Sequence, residues 1–229
     1  MKITTILGSP RGMRGCTAKL LKPMLATVEA AGAQSEVFSF DTLSVLPCKG
    51  CLDICHTKGK CHQQDDFATV LESMLASDGI IFAVPNYMFG VTAQLKALLD
   101  RLSLPLHCMR FYGKYATTIV TCGGSDPEDV ESYLRKILTQ YGLRLMEGIS
   151  GVEMQFTDPD ENAQLEKRAA ELGRRLVGAI ERQERHPEQE EQIKQAYEIM
   201  AFLVQTKQDD WPVAFEYWNT HWERQPPKL

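Results

Sequence analysis

The hydrophobic positions of this chain follow two alternating spacings over its first two thirds. Short runs rich in β-branched and apolar residues predict five strands, at Lys2–Leu7, Ser35–Phe40, Gly79–Val84, Tyr115–Cys122 and Leu143–Ile149. Between these runs the apolar residues recur every three or four positions, as on one face of a helix. Strands that alternate with helices predict a doubly wound α/β fold, with a parallel sheet, right-handed crossovers and helices on both faces.

The alternation stops near Glu161, where two amphipathic helices follow one another. The tail behind them holds all three tryptophans of the chain, which are Trp211, Trp218 and Trp222. Because buried aromatics dominate contact energies, we expect this tail to dock on the body of the protein or on a partner subunit. We therefore predict a domain at residues 1–157 and a helical, aromatic-rich extension at residues 158–229.

Composition and charge narrow the class of protein. Of the 229 residues, 44% are hydrophobic and 24% are charged, which is typical of a globular protein. The net charge of −5 disfavours nucleic acid and anionic membrane as partners. The amino terminus lacks the apolar core of a signal peptide, and no apolar run approaches the roughly 20 residues that cross a bilayer. We therefore expect a cytoplasmic protein.

The segment after the first strand has the features of a phosphate-binding loop. It runs from Gly8 to Thr17 and leads directly into a helix. Backbone N–H groups, the positive end of the helix dipole, hydroxyls at Ser9 and Thr17 and the guanidinium of Arg11 all suit a phosphate. The glycine spacing matches neither a Rossmann nor a Walker motif. A phosphate site of another kind is predicted, with a ligand-free glycine turn as the alternative.

Two further loops are predicted at the same edge of the sheet. The third strand ends in Pro85-Asn86-Tyr87-Met88-Phe89-Gly90, and the fourth leads into Gly123-Gly124. Ligands of parallel sheets bind where the carboxyl ends of the strands meet. We expect Tyr87 and Phe89 to flank a flat ring, with the glycine pair letting N–H groups approach its polar edge. The alternative is an ordinary turn whose aromatics pack inward.

Together these segments resemble the NAD(P)H-dependent FMN reductase family, with the closest likeness to its iron–sulfur flavoprotein branch. The resemblance covers about residues 1–150 and rests on GSPRG…CTAKLL, DDFATVLESMLASDGIIFAVPNYMFGVTAQLKALLDRL and the glycine pair. It implies a flavodoxin-like five-stranded sheet of order 2-1-3-4-5, FMN as cofactor and NAD(P)H as electron donor. It also implies a homodimer or homotetramer.

The resemblance assigns ten residues to FMN: Ser9, Arg11, Cys16 and Thr17 in the phosphate loop, Pro85, Asn86, Tyr87 and Phe89 at the ring, and Gly123 and Gly124 in the third loop. Cys16 departs from the family, where asparagine or serine is commoner. No catalytic residue is predicted, because the flavin itself carries the chemistry. The segment around Lys96 and Asp100-Arg101 is interpreted as helix surface and fold support.

Four cysteines lie close together in a segment that we call the cysteine loop, residues 47–61. The ligand candidates are Cys48, Cys51, Cys55 and Cys61, with spacing C-x₂-C-x₃-C-x₅-C. Four thiolates can hold one [4Fe–4S] cluster or one zinc ion, and an unfilled loop is the third alternative. The iron–sulfur branch has two residues between the second and third cysteines, whereas this chain has three. His56 and His62 are expected to be solvated.

The predicted function is an FMN-dependent oxidoreductase that passes electrons from a nicotinamide to a small-molecule or protein acceptor, such as a quinone. One alternative is an electron carrier without NAD(P)H activity of its own. Another is a metal-sensing or structural scaffold whose flavin pocket has decayed. Because the cysteine loop follows the second strand, we expect it at the same sheet edge as the phosphate loop, where a cluster would exchange electrons with the flavin.

Overall fold

One parallel sheet forms the centre of the computed structural model, which describes residues 1–124 and 126–222. Its strands in the described residues are β1 Lys2–Leu7, β2 Gln34–Ser39, β3 Gly79–Pro85, β4 Tyr115–Cys122, β5 Arg144–Leu145 and β6 Ile149–Val152. The spatial order is β2-β1-β3-β4-β5, and β6 also pairs with β4. All these pairings are parallel, which confirms the predicted flavodoxin-like order 2-1-3-4-5.

The last predicted strand, Leu143–Ile149, is divided into β5 and β6. Between them the chain leaves the hydrogen-bond ladder, and the carbonyl of Glu147 accepts a hydrogen bond of 2.7 Å from the Thr117 hydroxyl. Gly148 passes so close to Thr118 that a side chain at this position would collide with it. The bend therefore has a steric origin that hydrophobic periodicity does not reveal.

Helices cover both faces of the sheet, as predicted. They are α1 Cys16–Ala30, α2 Leu52–Lys58, α3 Phe67–Ala76, α4 Ala93–Arg101, α5 Ser103–His107, α6 Pro127–Gln140, α7 Pro159–Arg182, α8 Pro187–Thr206 and α9 Pro212–His221. On β3, Ile80, Phe82 and Val84 pack towards α3, α4 and α6. Ile81 and Ala83 pack towards α1 and α7 on the opposite face. The continuous apolar run of β3 thus contributes side chains to two hydrophobic cores, one on each face of the sheet.

The helices behind residue 157 have two different places in the fold. α7 packs along α1, and Gly173 lies so close to Met24 and Thr27 that a larger residue would not fit. α8 and α9 instead enclose a separate apolar cluster with α5, which includes Leu104, Tyr197 and Trp218. The aromatic tail thus docks on the body of the chain. Residues 223–229 of the predicted extension lie outside the described residues.

The outer edge of the sheet at β5 is covered by the start of α8. The side-chain amide of Gln189 accepts a hydrogen bond from Leu145 N–H at 3.1 Å and donates one to Leu145 C=O at 3.0 Å. Beside it, Glu190 forms a 2.6 Å ion pair with Arg144 in a nearly buried position. These contacts fix α8 to the sheet. None of the described helices combines the length and apolarity that would span a membrane.

Candidate functional site

An open cleft of about 270 Å³ lies where β1, β3 and β4 end. This volume is close to the lower end of the range of small-molecule sites, about 300–1,000 Å³. Eight of the ten residues predicted to hold FMN line the cleft: Ser9, Arg11, Cys16, Thr17, Pro85, Asn86, Tyr87 and Gly123. Gly124 and Phe89 do not line it, and the Phe89 side chain is 70% exposed. The fold therefore brings the three predicted loops together.

One end of the cleft has the features of an anion site. Ser9 Oγ accepts a hydrogen bond of 3.2 Å from the backbone N–H of Arg11, which fixes the turn after β1. Gly12 has a φ of +54° and faces the Asp41 carboxylate so closely that a side chain there would collide with it. α1 then begins behind Gly15 with no side-chain cap. Its first N–H groups therefore remain available to an anion.

A buried pair of hydroxyls joins the phosphate loop to β4. Thr17 Oγ1 lies 2.7 Å from Thr121 Oγ1, and both side chains are almost completely buried. The bond between them uses only one of the two hydroxyl protons. The other proton is free to donate to a ligand in the cleft. The pair therefore fixes the start of α1 and keeps a donor at the same place.

Asn86 presents an unsatisfied acceptor at the other end of the cleft. Its backbone N–H donates to Thr121 C=O at 2.6 Å, and its side-chain Nδ2 donates to Asp126 C=O at 3.3 Å. These bonds fix the amide, whereas Asn86 Oδ1 is buried and has no hydrogen-bond partner. Such an unpaired acceptor costs about 1–3 kcal/mol. The geometry therefore favours a ligand that offers an N–H group here.

A strained turn projects from the rim of the cleft. Tyr87 and Gly90 exchange two backbone hydrogen bonds of 2.9 and 3.1 Å, with Met88 and Phe89 between them. Met88 and Phe89 have φ values of 51° and 59°, in the left-handed region that suits glycine or asparagine. Their side chains are 92% and 70% exposed. The loop thus holds two apolar side chains out in solvent beside the cleft.

Sequence reasoning missed Glu153, which lines the cleft from the turn after β6. A Cβ on Gly123 would lie 3.8 Å from its Oε2, so the carboxylate stands beside the third loop. No motif marks Glu153, since the strand before it was not predicted as a separate element. Cys122, the last residue of β4, also lines the cleft. Burial raises the pKa of its thiol, which favours the protonated form.

A second, small cavity, of about 50 Å³, is lined by all four predicted metal ligands, Cys48, Cys51, Cys55 and Cys61. Burial and the neighbouring thiol of Cys51 raise the pKa of Cys55. Thiols that disfavour each other's ionisation in this way are stabilised as thiolates by a bound cation. Among the described residues, however, no three His, Cys, Asp or Glu side chains stand in a metal-holding arrangement. The structure thus gathers the donors without the coordination geometry.

Arg101 connects the cysteine cavity to the protein interior. Its Nη2 donates to Cys61 Sγ at 3.3 Å, and its Nη1 donates to Leu46 C=O at 3.1 Å and pairs with Asp65. The guanidinium also lies 4.2 Å from the centre of the Phe67 ring. Its side chain is only 1% exposed, so the interpretation of Arg101 as helix surface was wrong. Its predicted role in supporting the fold is confirmed by these contacts.

The cysteine cavity lies away from the cleft, at the opposite end of α4. Thr92, the N-cap of α4, donates its hydroxyl to Gly8 C=O at 2.6 Å beside the phosphate loop. Arg101, the last residue of α4, contacts Cys61. A helix of nine residues spans about 13 Å. The chain leaves β2 beside the phosphate loop, as expected, since Asp41 faces Gly12, whereas the four cysteines line a separate cavity that contacts the end of α4.

The two histidines of the loop region have different environments. His56 is fully buried, and its Nε2 lies 3.3 Å from Ser103 Oγ, so its predicted solvation was wrong. His62 is exposed, as expected, with Nδ1 3.5 Å from Cys51 Sγ. Burial lowers the pKa of His56, and it lowers the pKa of its neighbour His107 to about 4. Both buried rings are therefore neutral at physiological pH.

Comparisons with known proteins agree with these features. The NADPH-dependent FMN reductase family matches residues 1–157. An iron–sulfur flavoprotein of Archaeoglobus fulgidus is 29% identical over 223 residues, which cover 96% of this chain and 98% of that protein. An iron–sulfur flavoprotein of Methanosarcina thermophila is 41% identical over 101 residues, 44% of this chain and 52% of that protein. A solved NADH:FMN oxidoreductase in its apo form superimposes with a TM-score of 0.57 at 25% identity, covering 75% of this chain and 88% of that one.

Proposed function

Because the chain belongs to the NADPH-dependent FMN reductase family, we propose that it binds FMN in the cleft and passes electrons from a nicotinamide to an acceptor. The main observation that supports this proposal is that one cleft contains both an anion site and an unsatisfied hydrogen-bond acceptor. An uncapped helix start with Arg11 lies at one end, and the unsatisfied Oδ1 of Asn86 lies at the other. A phosphate and a ring bearing an N–H group would satisfy both.

The residues of the cleft fit the parts of FMN. Ser9, Arg11 and the first N–H groups of α1 would hold the phosphate by charge-assisted hydrogen bonds. Asn86, Tyr87 and the backbone at Gly123 would hold the ring, with Asn86 Oδ1 accepting from a ring N–H. When bound, FMN supplies hydride and single-electron transfer. The chain's own side chains bind and orient it, and none is assigned as acid or base.

The four cysteines are proposed to hold a [4Fe–4S] cluster. The iron–sulfur flavoproteins similar to this chain support the cluster over zinc or an unfilled loop. The charge around the cavity supports a metal–thiolate centre over an unfilled loop, because Lys49, Lys60, Arg101 and Arg110 also line it. A cluster with four thiolates carries net negative charge, which these cations would offset. The Arg101 guanidinium would position Cys61 through its hydrogen bond.

The assembly and the compartment are part of the same proposal. Among the described residues no disulfide joins the cysteines, which suits a reducing cytoplasm. Tyr87, Met88, Phe89 and Met154 expose large apolar side chains. Tyr87 and Glu153, the residue before Met154, line the cleft. This exposed apolar surface supports a homo-oligomer, or contact with an apolar electron acceptor such as a quinone.

Anaerobic purification followed by absorption spectroscopy and by flavin, iron and zinc analysis tests the proposal. We expect bound FMN, about four irons per chain and oxidation of NADH or NADPH with a quinone acceptor. A colourless protein that does not take up added FMN would contradict the cofactor assignment. A flavin spectrum with zinc or no metal would contradict the cluster alone. FMN-loaded protein that dithionite reduces but NADH and NADPH do not would indicate an electron carrier instead.

A further inference from the structure

Trp211 stands at the start of α9, where the C-terminal helices meet the cysteine loop. Its indole ring stacks on His107 at 4.0 Å between ring centres and an interplanar angle of 16°. The same indole lies 5.3 Å from the ring of His56, at 27°. His56 directly follows Cys55 on α2 and is fully buried. Trp211 and His107 therefore form the surface against which α2 rests.

The end of α2 makes a second contact with α9. Gly59 ends the helix in a left-handed conformation, with its N–H bonded to Cys55 C=O at 3.0 Å. A Cβ on Gly59 would lie 3.5 Å from the side chain of Val213. α2 has only seven residues, and helices shorter than about 12 residues are marginal on their own. Its conformation, and with it the place of Cys55, therefore depends on packing against α9.

The same C-terminal helices also hold another wall of the cysteine cavity. Ser103, Leu104 and Pro105 of α5 line that cavity, and Leu104 belongs to the apolar cluster formed with α8 and α9. Trp218 Nε1 donates to His107 C=O, the last residue of α5, at 2.6 Å. By contrast, the residues that line the FMN cleft all lie between Ser9 and Glu153. Of the two cavities, α8 and α9 thus support the wall of the cysteine cavity and supply no residue to the cleft.

We infer that α8 and α9 hold the cysteine loop at the cavity where its four thiols gather, with Trp211 as the positioning residue for Cys55, and that they take no part in binding FMN. This inference rests on the proposed metal site. Removing the indole would leave α2 without its packing surface, so the Cys55 ligand would lose its fixed position. Outer residues that orient ligands typically account for about 10- to 100-fold in metal affinity.

Full-length Trp211→Ala tests the inference, with Trp211→Phe as the conservative variant. Phe202→Ala is the matched control, since Phe202 is an aromatic residue of α8 whose side chain is 70% exposed. Iron and FMN per chain, and the rate of iron loss to a chelator, are measured on anaerobically purified protein. We expect Trp211→Ala to weaken iron retention about 10- to 100-fold with FMN content unchanged. Trp211→Phe should recover most of the loss, and Phe202→Ala should match the parent protein.

A second readout needs no metal. In chelator-stripped protein, N-ethylmaleimide labelling of Cys55, followed by peptide mass spectrometry, should be faster in Trp211→Ala than in the parent and the control. Equal iron retention and equal labelling would overturn the inference, as would a joint loss of FMN and iron with a lowered melting temperature. If the parent protein holds no metal, the proposed cluster is wrong. The labelling of Cys55 then decides the positioning role by itself.

Discussion

The guanidinium of Arg101 donates a hydrogen bond to the thiol of Cys61, with 3.3 Å between Nη2 and Sγ. Its other arm pairs with Asp65, and the two charged side chains are only 1% and 3% exposed. Burial alone would raise the pKa of the Asp65 carboxyl. Hydrogen bonds from Arg101 and from the N–H groups of Leu46 and Phe67 outweigh it and lower that pKa. A buried ion pair thus joins the end of α4 to the cysteine cavity.

Breaking this pair on one side should strongly destabilise the fold. Arg101→Met leaves the Asp65 carboxylate buried without its cation, and we expect a loss of about 3–5 kcal/mol in the free energy of unfolding. Asp65→Asn added to Arg101→Met removes the orphaned charge, so more than half of that loss should be recovered. Urea denaturation of the single and double variants measures both. Additive effects of the two substitutions would show that the charges are not coupled.

Acid should destabilise the protein through His107. Burial, and to a lesser extent the neighbouring His56, lowers the His107 pKa to about 4 from 6.5. The unfolded chain therefore binds this proton more readily than the folded protein. The contribution of neutral His107 to the free energy of unfolding is fully present above pH 6.5. It is lost as the pH falls towards 4, by on the order of 3 kcal/mol.

His107→Phe keeps a ring against Trp211 and removes the titrating group. Urea denaturation between pH 7 and pH 4 should therefore show a flatter dependence of stability on pH for this variant. His186→Gln serves as a comparison for the loss of an exposed histidine, because the side chain of His186 is 53% exposed and lies beside Glu184. An unchanged slope in His107→Phe would assign the acid sensitivity to other groups, such as the carboxyl of Asp65.

Arg11 should bind the phosphate of FMN and not its ring. Arg11→Met removes a charge-assisted hydrogen bond worth about 1.5–3 kcal/mol, so the Kd for FMN should rise about 10- to 100-fold. Riboflavin lacks the phosphate, and its affinity should not change. Quenching of flavin fluorescence measures both ligands. Arg14→Met is the matched control, since Arg14 is an exposed residue of the same loop that does not line the cleft. Equal losses for FMN and riboflavin would contradict a phosphate contact.

Substitutions that relieve the strained turn at Met88 and Phe89 should stabilise the fold but lower the activity. Met88→Asn with Phe89→Gly supplies the residue types that left-handed positions prefer. We expect the double variant to be about 1 kcal/mol more stable in urea denaturation. Loss of the apolar tip should lower the rate of electron transfer to a quinone acceptor. Gain of stability with full activity would show that the exposed side chains have no functional contact.

The order of the sheet and the three cleft loops could be predicted from the sequence, because both follow from local patterns. An apolar run such as Gly79–Val84 identifies a strand buried on both faces. Loops that follow parallel strands must then meet at one edge. Ser9, Asn86 and Gly123 come together in the cleft for this reason, although they lie far apart in the chain.

The environment of the cysteine loop could not be predicted in the same way. Arg101 follows Asp100, which pairs with Lys96 on the exposed side of α4, and only the return of residues 46–65 along this helix buries the guanidinium. His56 is buried by Trp211, which lies 155 positions further along the chain. Such contacts depend on tertiary packing, for which no periodicity in the sequence gives a signal.

The side-chain amide of Gln189 makes the two hydrogen bonds to Leu145 that a neighbouring strand would otherwise make. It accepts from the backbone N–H of Leu145 and donates to its C=O. An open strand edge can recruit a strand from another molecule and start aggregation. Here a side chain from α8 occupies the N–H and C=O groups that would template such growth. The resistance of this edge to aggregation therefore depends on α8, a helix that follows the sheet in the chain. A nascent chain that has not yet made α8 would carry the edge uncovered.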